Sequence, residues 1–119
     1  MKQEKLQESV TDALQSYDKF VDDMWFYDPA EHQDCPELAY TTLKLAGEAG
    51  EVSEKVGKYY RDRVLNVDAL VLELGDMLFY IVKLAHIHDK TLEDVAFMNR
   101  VKLLGRMDRG TLKGSGDDR

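Results

Sequence analysis

Four carboxylate residues form two pairs with the same internal spacing, and this repeat is a candidate for chemistry. Glu48 and Glu51 are three residues apart, and Glu73 and Asp76 repeat the interval. On an α-helix, side chains three residues apart lie on one face, so each pair would present its oxygens together. All-oxygen ligation favours a hard divalent cation, Mg²⁺ or alternatively Mn²⁺. The pattern therefore predicts that these four acids are metal ligands and catalytic residues.

The surroundings of the second pair favour a metal as well. Apolar side chains cover almost every direction around the helix predicted for residues 70–82, and a helix that is apolar all round is typically buried. Because an unpaired buried charge is expensive, Glu73 and Asp76 must be neutralised, and Lys83 is the only nearby cation on that helix. A shared divalent cation is the simpler solution.

Small residues accompany both acidic pairs. Gly47 and Gly50 flank the first pair and Gly75 lies within the second. Because a glycine inside a helix costs roughly 1 kcal/mol relative to alanine, we expect a close backbone approach, to another helix or to a ligand, to offset that cost.

The alternative is that the acids are helix-surface residues that form ordinary ion pairs. We prefer this interpretation for Glu54, one turn beyond the first pair. His86 and His88 do not follow an acid at the Glu-x-x-His spacing of di-iron bundles, so they are interpreted as ordinary residues at a helix end. The possible lysine partners of the acids are Lys44, Lys55 and Lys58.

The elements that must position these acids are helices. Apolar residues recur at three- and four-residue steps, which predicts helices over about residues 4–25 and 36–61. Asn66 or Asp68 can cap a third helix that ends near residue 88, and Thr91 with Asp94 resembles a capping box that opens a fourth helix. Gly110 would end it. We predict an all-α, four-helix bundle, with one domain over residues 1–110 and a flexible, glycine-rich tail over residues 111–119.

Composition excludes several classes of function. The net charge is −7, and residues 99–119 contribute +3, so the remaining chain carries −10. An acidic body argues against nucleic acid as a partner, and the most apolar stretch is interrupted by charges, which argues against a membrane span. The N-terminus is polar and lacks a signal-peptide pattern, and the single Cys35 fits a reducing compartment, so we expect a cytoplasmic protein.

Taken together, the motifs resemble those of a known family. The acidic pairs resemble the E-E-x-x-E … E-x-x-D signature of the MazG-like, all-α nucleotide pyrophosphohydrolases, with Gly47 in place of the first Glu. The similarity continues through Asn99, Lys102 and Arg106 into a tail typical of short, single-domain and phage-type members. It implies a magnesium-dependent hydrolase that cleaves nucleoside triphosphates to the monophosphate and pyrophosphate. It also implies a homodimer or homotetramer that completes the bundle and the site.

The resemblance suggests roles for further residues. Asn99, Lys102 and Arg106 are expected to bind substrate, because the two cations lie four residues apart on one helix face and could clamp phosphate. Glu48 or Glu51 would orient the attacking water. Substrate identity does not transfer, so a narrow dUTP or dCTP hydrolase stays an alternative, as does a non-catalytic module that binds nucleotide or metal. Lys55 and Lys113 are further candidates for substrate binding. The candidates for stacking on the base, or alternatively for packing, are Trp25, Phe26, Tyr27 and Tyr40.

Overall fold

A computed structural model describes residues 2–110 and residue 113 of the chain. The described residues form four helices and no strand: α1 (Lys2–Met24), α2 (Glu37–Asp62), α3 (Val67–Ile87) and α4 (Leu92–Asp108). The predicted all-α, four-helix architecture is confirmed. Of the predicted tail over residues 111–119, all except Lys113 lies outside the described residues. Within the part of the chain that is described, no helix is both long enough and apolar enough to cross a membrane.

The helix ends follow from local hydrogen bonding. Asn66 caps α3, since its side-chain oxygen accepts a hydrogen bond of 3.0 Å from the backbone N–H of Ala69. At the start of α4, the Thr91 hydroxyl accepts from the N–H of Asp94 at 3.1 Å, and the Asp94 carboxylate accepts from the N–H of Thr91 at 2.9 Å. This reciprocal pair is the predicted capping box. Gly110 follows α4 with φ +68°, a backbone conformation that favours glycine.

The helices pack as an antiparallel pair with two additional helices on one side. α2 packs against α3 along most of its length, and α3 also contacts α1 and α4. No pair of Cα atoms from α2 and α4 lies within 8 Å among the described residues. The fully buried apolar side chains are Val21 of α1 and Val82 of α3, so the core of a single chain is small.

The prediction that α3 is buried all round is wrong for the single chain. Leu72 is 72% exposed and Val71 is 56% exposed. The C-terminal half of α3 is further covered by Trp25, the residue after α1, which packs against Phe79 and Tyr80. The N-terminal half of α3 is therefore covered by α2 on one side and keeps an apolar surface on the other.

A polar junction holds three helices together. The two ring nitrogens of His86 lie 2.7 Å from a carboxylate oxygen of Asp18 and 2.9 Å from one of Asp22. The backbone N–H of Leu92, at the start of α4, donates to the same Asp18 carboxylate at 2.9 Å. These contacts join His86 of α3 to α1, and the shared Asp18 carboxylate joins both to the start of α4. His86 therefore has a structural role that its position at a helix end did not reveal.

Candidate metal centre

The packing of α2 against α3 brings acids from both helices together. One carboxylate oxygen each from Glu48, Glu73 and Asp76 lies within 4.8 Å of the other two. Glu48 and Glu73 are half-buried, whereas Asp76 is exposed. The three-residue step from Glu73 to Asp76 places both on the face of α3 that meets Glu48. Three of the four predicted ligands thus form one cluster, which we call the acid cluster.

Glu51, the fourth predicted ligand, lies at the edge of the acid cluster. It is exposed and is not one of the three residues whose oxygens approach one another within 4.8 Å. Glu73 is nevertheless close enough to Glu51 to be the first cause of the raised pKa of Glu51. One turn of α2 separates Glu51 from Glu48, so Glu51 extends the cluster toward the C-terminal end of that helix.

The electrostatics of the cluster disfavour full ionisation. Burial raises the pKa of Glu48, and the negative charges of Glu51 and Asp76 raise it further. The pKa of Glu51 is raised first by a hydrogen-bonding contact with Glu73 and then by the charge of Glu73, while Lys55 opposes the shift. Because a contact between two carboxyl groups is a hydrogen bond only when one holds a proton, the metal-free cluster favours bound protons.

Two buried oxygens point to the position that a cation would take. Oε2 of Glu48 and Oε2 of Glu73 are inaccessible to solvent and have no hydrogen-bond partner within the described part of the chain. An octahedral Mg²⁺ holds oxygens at about 2.1 Å, so neighbouring ligands are about 3.0 Å apart and opposite ligands about 4.2 Å apart. The observed separations of up to 4.8 Å need inward shifts of about 1 Å per oxygen to meet that geometry. The three residues fit a hard divalent cation by donor type and by spacing, and the unsatisfied oxygens of Glu48 and Glu73 support the same assignment.

A lysine from the neighbouring helix partly neutralises the cluster. Nζ of Lys55 lies 3.7 Å from Oε1 of Glu73, across the α2–α3 interface. Lys83 does not neutralise the cluster. Its Nζ lies 3.7 Å from Oε1 of Glu37, at the start of α2, and 5.0 Å from the centroid of the Trp25 ring. The expected ion pair of Glu54 is present, with Lys58 at 2.9 Å. Lys55, one of the possible lysine partners of the acids, therefore shares in neutralising Glu73.

The glycines beside the acids are not explained by contacts within the chain. A Cβ atom added to Gly47, Gly50 or Gly75 would have no neighbouring heavy atom within 4 Å. The expected close approach of another helix to these positions is wrong for the single chain, because the surface beside each glycine is open.

Two tyrosines that the sequence motifs do not include interact electrostatically with the cluster. Burial raises the pKa of Tyr80, and the charges of Tyr40, Glu48 and Asp76 add to the shift. Burial also raises the pKa of Tyr17 of α1, with Asp76 as the second cause. Tyr80 is four residues after Asp76, a helical spacing that could have identified it. No local signal connects Tyr17 to an acid that lies two helices further along the chain.

The aromatic candidates for base stacking mostly pack against one another. The Trp25 ring centroid lies 6.1 Å from that of Tyr40, and its indole N–H donates to Glu37 at 3.0 Å. Tyr27 lies 5.5 Å from Tyr40 by ring centroids, and its hydroxyl donates to a backbone carbonyl at 2.6 Å. Phe26 is 77% exposed and projects away from this group.

The substrate-binding candidates on α4 differ in their exposure. Asn99 and Lys102 are exposed, whereas Arg106 is 4% exposed. The helix that carries them packs on α1 and α3, and among the described residues none of its Cα atoms lies within 8 Å of a Cα atom of α2. Lys113, just beyond α4, is also exposed.

The architecture and the acids together define a class of protein: all-helical, with an E-x-x-E helix packed against an E-x-x-D helix so that their carboxylates converge. A family model for the MazG nucleotide pyrophosphohydrolase domain matches residues 37–110, which includes α2, α3 and α4. The chain belongs to the MazG nucleotide pyrophosphohydrolase family, as its resemblance to short MazG-like proteins predicted.

A curated relative extends this result. The chain is 46% identical over 87 residues to a protein of Mycobacterium phage L5 called Gene 37 protein. The aligned segment covers 69% of this chain and 76% of the relative. No solved structure matches the chain significantly. Membership of the family supports a nucleotide pyrophosphohydrolase activity in general, and α1 lies outside the matched segment.

Proposed function

We propose that this protein is a magnesium-dependent nucleoside triphosphate pyrophosphohydrolase that converts an NTP or dNTP to the monophosphate and pyrophosphate. The observation that carries the proposal is the acid cluster. Three carboxylate oxygens from two helices lie within 4.8 Å of one another, and one oxygen each of Glu48 and Glu73 is buried without a hydrogen-bond partner among the described residues. The cluster also lies within the segment that matches the MazG domain.

In the proposed site, Glu48, Glu73 and Asp76 hold Mg²⁺, and Glu51 joins them from the edge. Mn²⁺ can replace Mg²⁺, because it prefers the same oxygen ligands. The bound cation supplies charge neutralisation for the triphosphate and polarises the phosphoryl group. Without it, the acidic body would repel a polyanionic substrate.

The carboxylates at the edge of the site can also handle the proton of the reaction. Hydrolysis adds water across one P–O bond of the α–β bridge: the water oxygen stays on the attacked phosphorus and the bridging oxygen leaves with the other product. Glu48 or Glu51 would accept the proton that the water loses. Lys55, Asn99, Lys102, Arg106 and Lys113 are the proposed substrate-binding residues.

We also propose that the active form is a homodimer or homotetramer. The accessible surface of the chain is 9187 Å², whereas a compact monomer of its mass exposes about 6,600 Å². The radius of gyration is 17.6 Å, compared with about 13.5 Å for a compact chain of this length. The exposed apolar side chains on the N-terminal half of α3 border the acid cluster, so a second copy that packs on them would also enclose the site.

The test is hydrolysis of a panel of ribo- and deoxyribonucleoside triphosphates with Mg²⁺, with detection of pyrophosphate and monophosphate. We expect turnover by the natural chain, none in EDTA, and a loss of at least about 10³-fold in Glu73→Ala and Asp76→Ala. Glu54→Ala is the matched control, because it removes an acid from the exposed face of α2 and should retain activity. Turnover confined to dUTP or dCTP would establish the narrower specificity. A complete lack of turnover with every nucleotide would refute the enzyme proposal in favour of a binding module.

A further inference from the structure

Lys55 is an unusual neighbour for a metal site, because it brings a positive charge to the position where a cation should bind. Its Nζ lies 3.7 Å from Oε1 of Glu73, while Oε2 of the same carboxylate is buried and has no hydrogen-bond partner among the described residues. The two oxygens of Glu73 thus differ: one lies within ion-pair distance of the lysine, and the other is buried without a hydrogen-bond partner.

The Lys55–Glu73 ion pair has the features of a contact in which a divalent cation can replace the lysine. At 3.7 Å it is an ion pair but too long for a hydrogen bond, and the lysine side chain is 34% exposed. Pairs of this kind are weak and are screened by salt, so a divalent cation that binds Glu73 can displace the lysine. Lys55 also follows Glu51 by one helical turn, and its charge opposes the raised pKa of that carboxyl.

We propose that Lys55 is a tethered counter-ion that takes the place of the divalent cation in the metal-free protein and gives up Glu73 when the metal binds. This inference rests on the proposed function, since it assumes that the acid cluster is a metal site. Lys55 is a positioning residue in this scheme. In the metal-free chain it holds like charges together on α2 and α3. In the metal-bound chain its ammonium group is released beside the cluster, where it can meet the phosphates of the substrate.

The scheme predicts that removal of Lys55 raises the affinity for the divalent cation, whereas removal of a residue that helps Glu73 bind the metal would lower it. If Lys55 competes with the metal, its removal leaves a more negative site and divalent binding becomes tighter. If Lys55 only orients Glu73 for the metal, its removal makes binding weaker. The direction of the change therefore decides between the two, without any measurement of activity.

The experiment is a titration of the full chain with Mn²⁺ in the absence of nucleotide, followed by the electron paramagnetic resonance signal of free Mn²⁺. Lys55→Met should bind Mn²⁺ about tenfold more tightly than the natural chain at low ionic strength, and the difference should shrink at 0.5 M salt. Lys55→Arg keeps the charge and should stay within about twofold. Lys58→Met is the matched control, because it removes the same charge one turn further along α2, where the lysine pairs with Glu54 at 2.9 Å.

Each result has a defined meaning. Unchanged or weaker Mn²⁺ binding in Lys55→Met, or an equal gain in Lys58→Met, would overturn the counter-ion assignment while leaving the metal site intact. A natural chain that binds no Mn²⁺ would instead overturn the metal site of the proposed function, and the counter-ion assignment with it. Lys55→Gln, which keeps a polar end at this half-exposed position, provides a second neutral variant if Lys55→Met does not fold.

Discussion

Replacement of Glu73 by glutamine tests the acid cluster most directly, because it removes one negative charge and keeps the shape of the side chain. Glu73 is partly buried, with its side chain 17% exposed, and it has carboxylate oxygens of Glu48 and Asp76 within 4.8 Å. We expect Glu73→Gln to stabilise the metal-free fold and to abolish stabilisation by Mg²⁺. These two effects have opposite signs, so a merely disruptive substitution cannot mimic the pair.

The size of the effect follows from the distances. Two unit charges 4.8 Å apart repel by about 3.5 kcal/mol at an effective dielectric constant of ~20, so the two neighbours cost about 7 kcal/mol. The ion pair with Lys55 at 3.7 Å returns about 4.5 kcal/mol on the same basis. Screening at the exposed Asp76 and protons held by the cluster reduce the remaining repulsion, so we expect a net gain of about 1–2 kcal/mol. For a chain of this length that is an increase in melting temperature of about 4–8 °C.

The assay is thermal unfolding at fixed protein concentration, first in EDTA and then across a titration of MgCl₂. The natural chain should gain about 2.7 kcal/mol when Mg²⁺ reaches a hundred times its dissociation constant, whereas Glu73→Gln should gain almost nothing. Glu54→Gln is the control, because its partner Lys58 is exposed and the pair contributes little. A lower melting temperature of Glu73→Gln in EDTA would refute the argument from charge crowding. A Mg²⁺ response equal to that of the natural chain would remove Glu73 from the ligand set.

Three further predictions follow from the same structure. Because burial and neighbouring acids raise the pKa of Glu48, the folded chain binds protons that the unfolded chain releases. The free energy of unfolding, measured with urea in EDTA, should therefore rise as the pH falls from neutral toward the ordinary carboxyl pKa. The rise should be shallower in Glu48→Gln. Thr91→Ala should cost about 1 kcal/mol in urea unfolding through loss of the α4 cap, whereas Thr42→Ala, which only removes a bond to its own helix, should cost less. Leu72→Glu should dissociate the assembly in sedimentation velocity, whereas Phe26→Glu, at a similarly exposed loop position, should not.

Local signals in the sequence were sufficient for the helices. The capping box of Thr91 and Asp94 depends on residues three apart, and the cap on α3 depends on Asn66 and the N–H of Ala69. Such hydrogen bonds form within one turn, so residue type and spacing predict them. The second helix was predicted to start at residue 36 and starts at Glu37, so the two positions differ by a single residue.

The burial of α3 was predicted incorrectly, because periodicity reports which faces are apolar and not what covers them. Leu72 and Val71 have the pattern of core residues and are exposed in the single chain. Their burial depends on other copies of the chain in the proposed assembly, and one sequence contains no information on how copies meet. Gly47 and Gly75 are similar cases, since the open space beside them is not filled by any part of the described chain.

In the acid cluster too, spacing along the sequence predicts some features, whereas others depend on how the helices pack. Spacing along the chain identified Glu73 and Asp76 as one face of a helix, but the neutralisation of that face is settled by residues that only packing brings near. Lys83, ten residues after Glu73 on the same helix, turns away, whereas Lys55, eighteen residues before it on another helix, lies 3.7 Å from it. The charge balance of the acid cluster is therefore a property of the helix interface. In the proposed metal site, substitutions at this interface could change metal affinity while the proposed ligands stay the same.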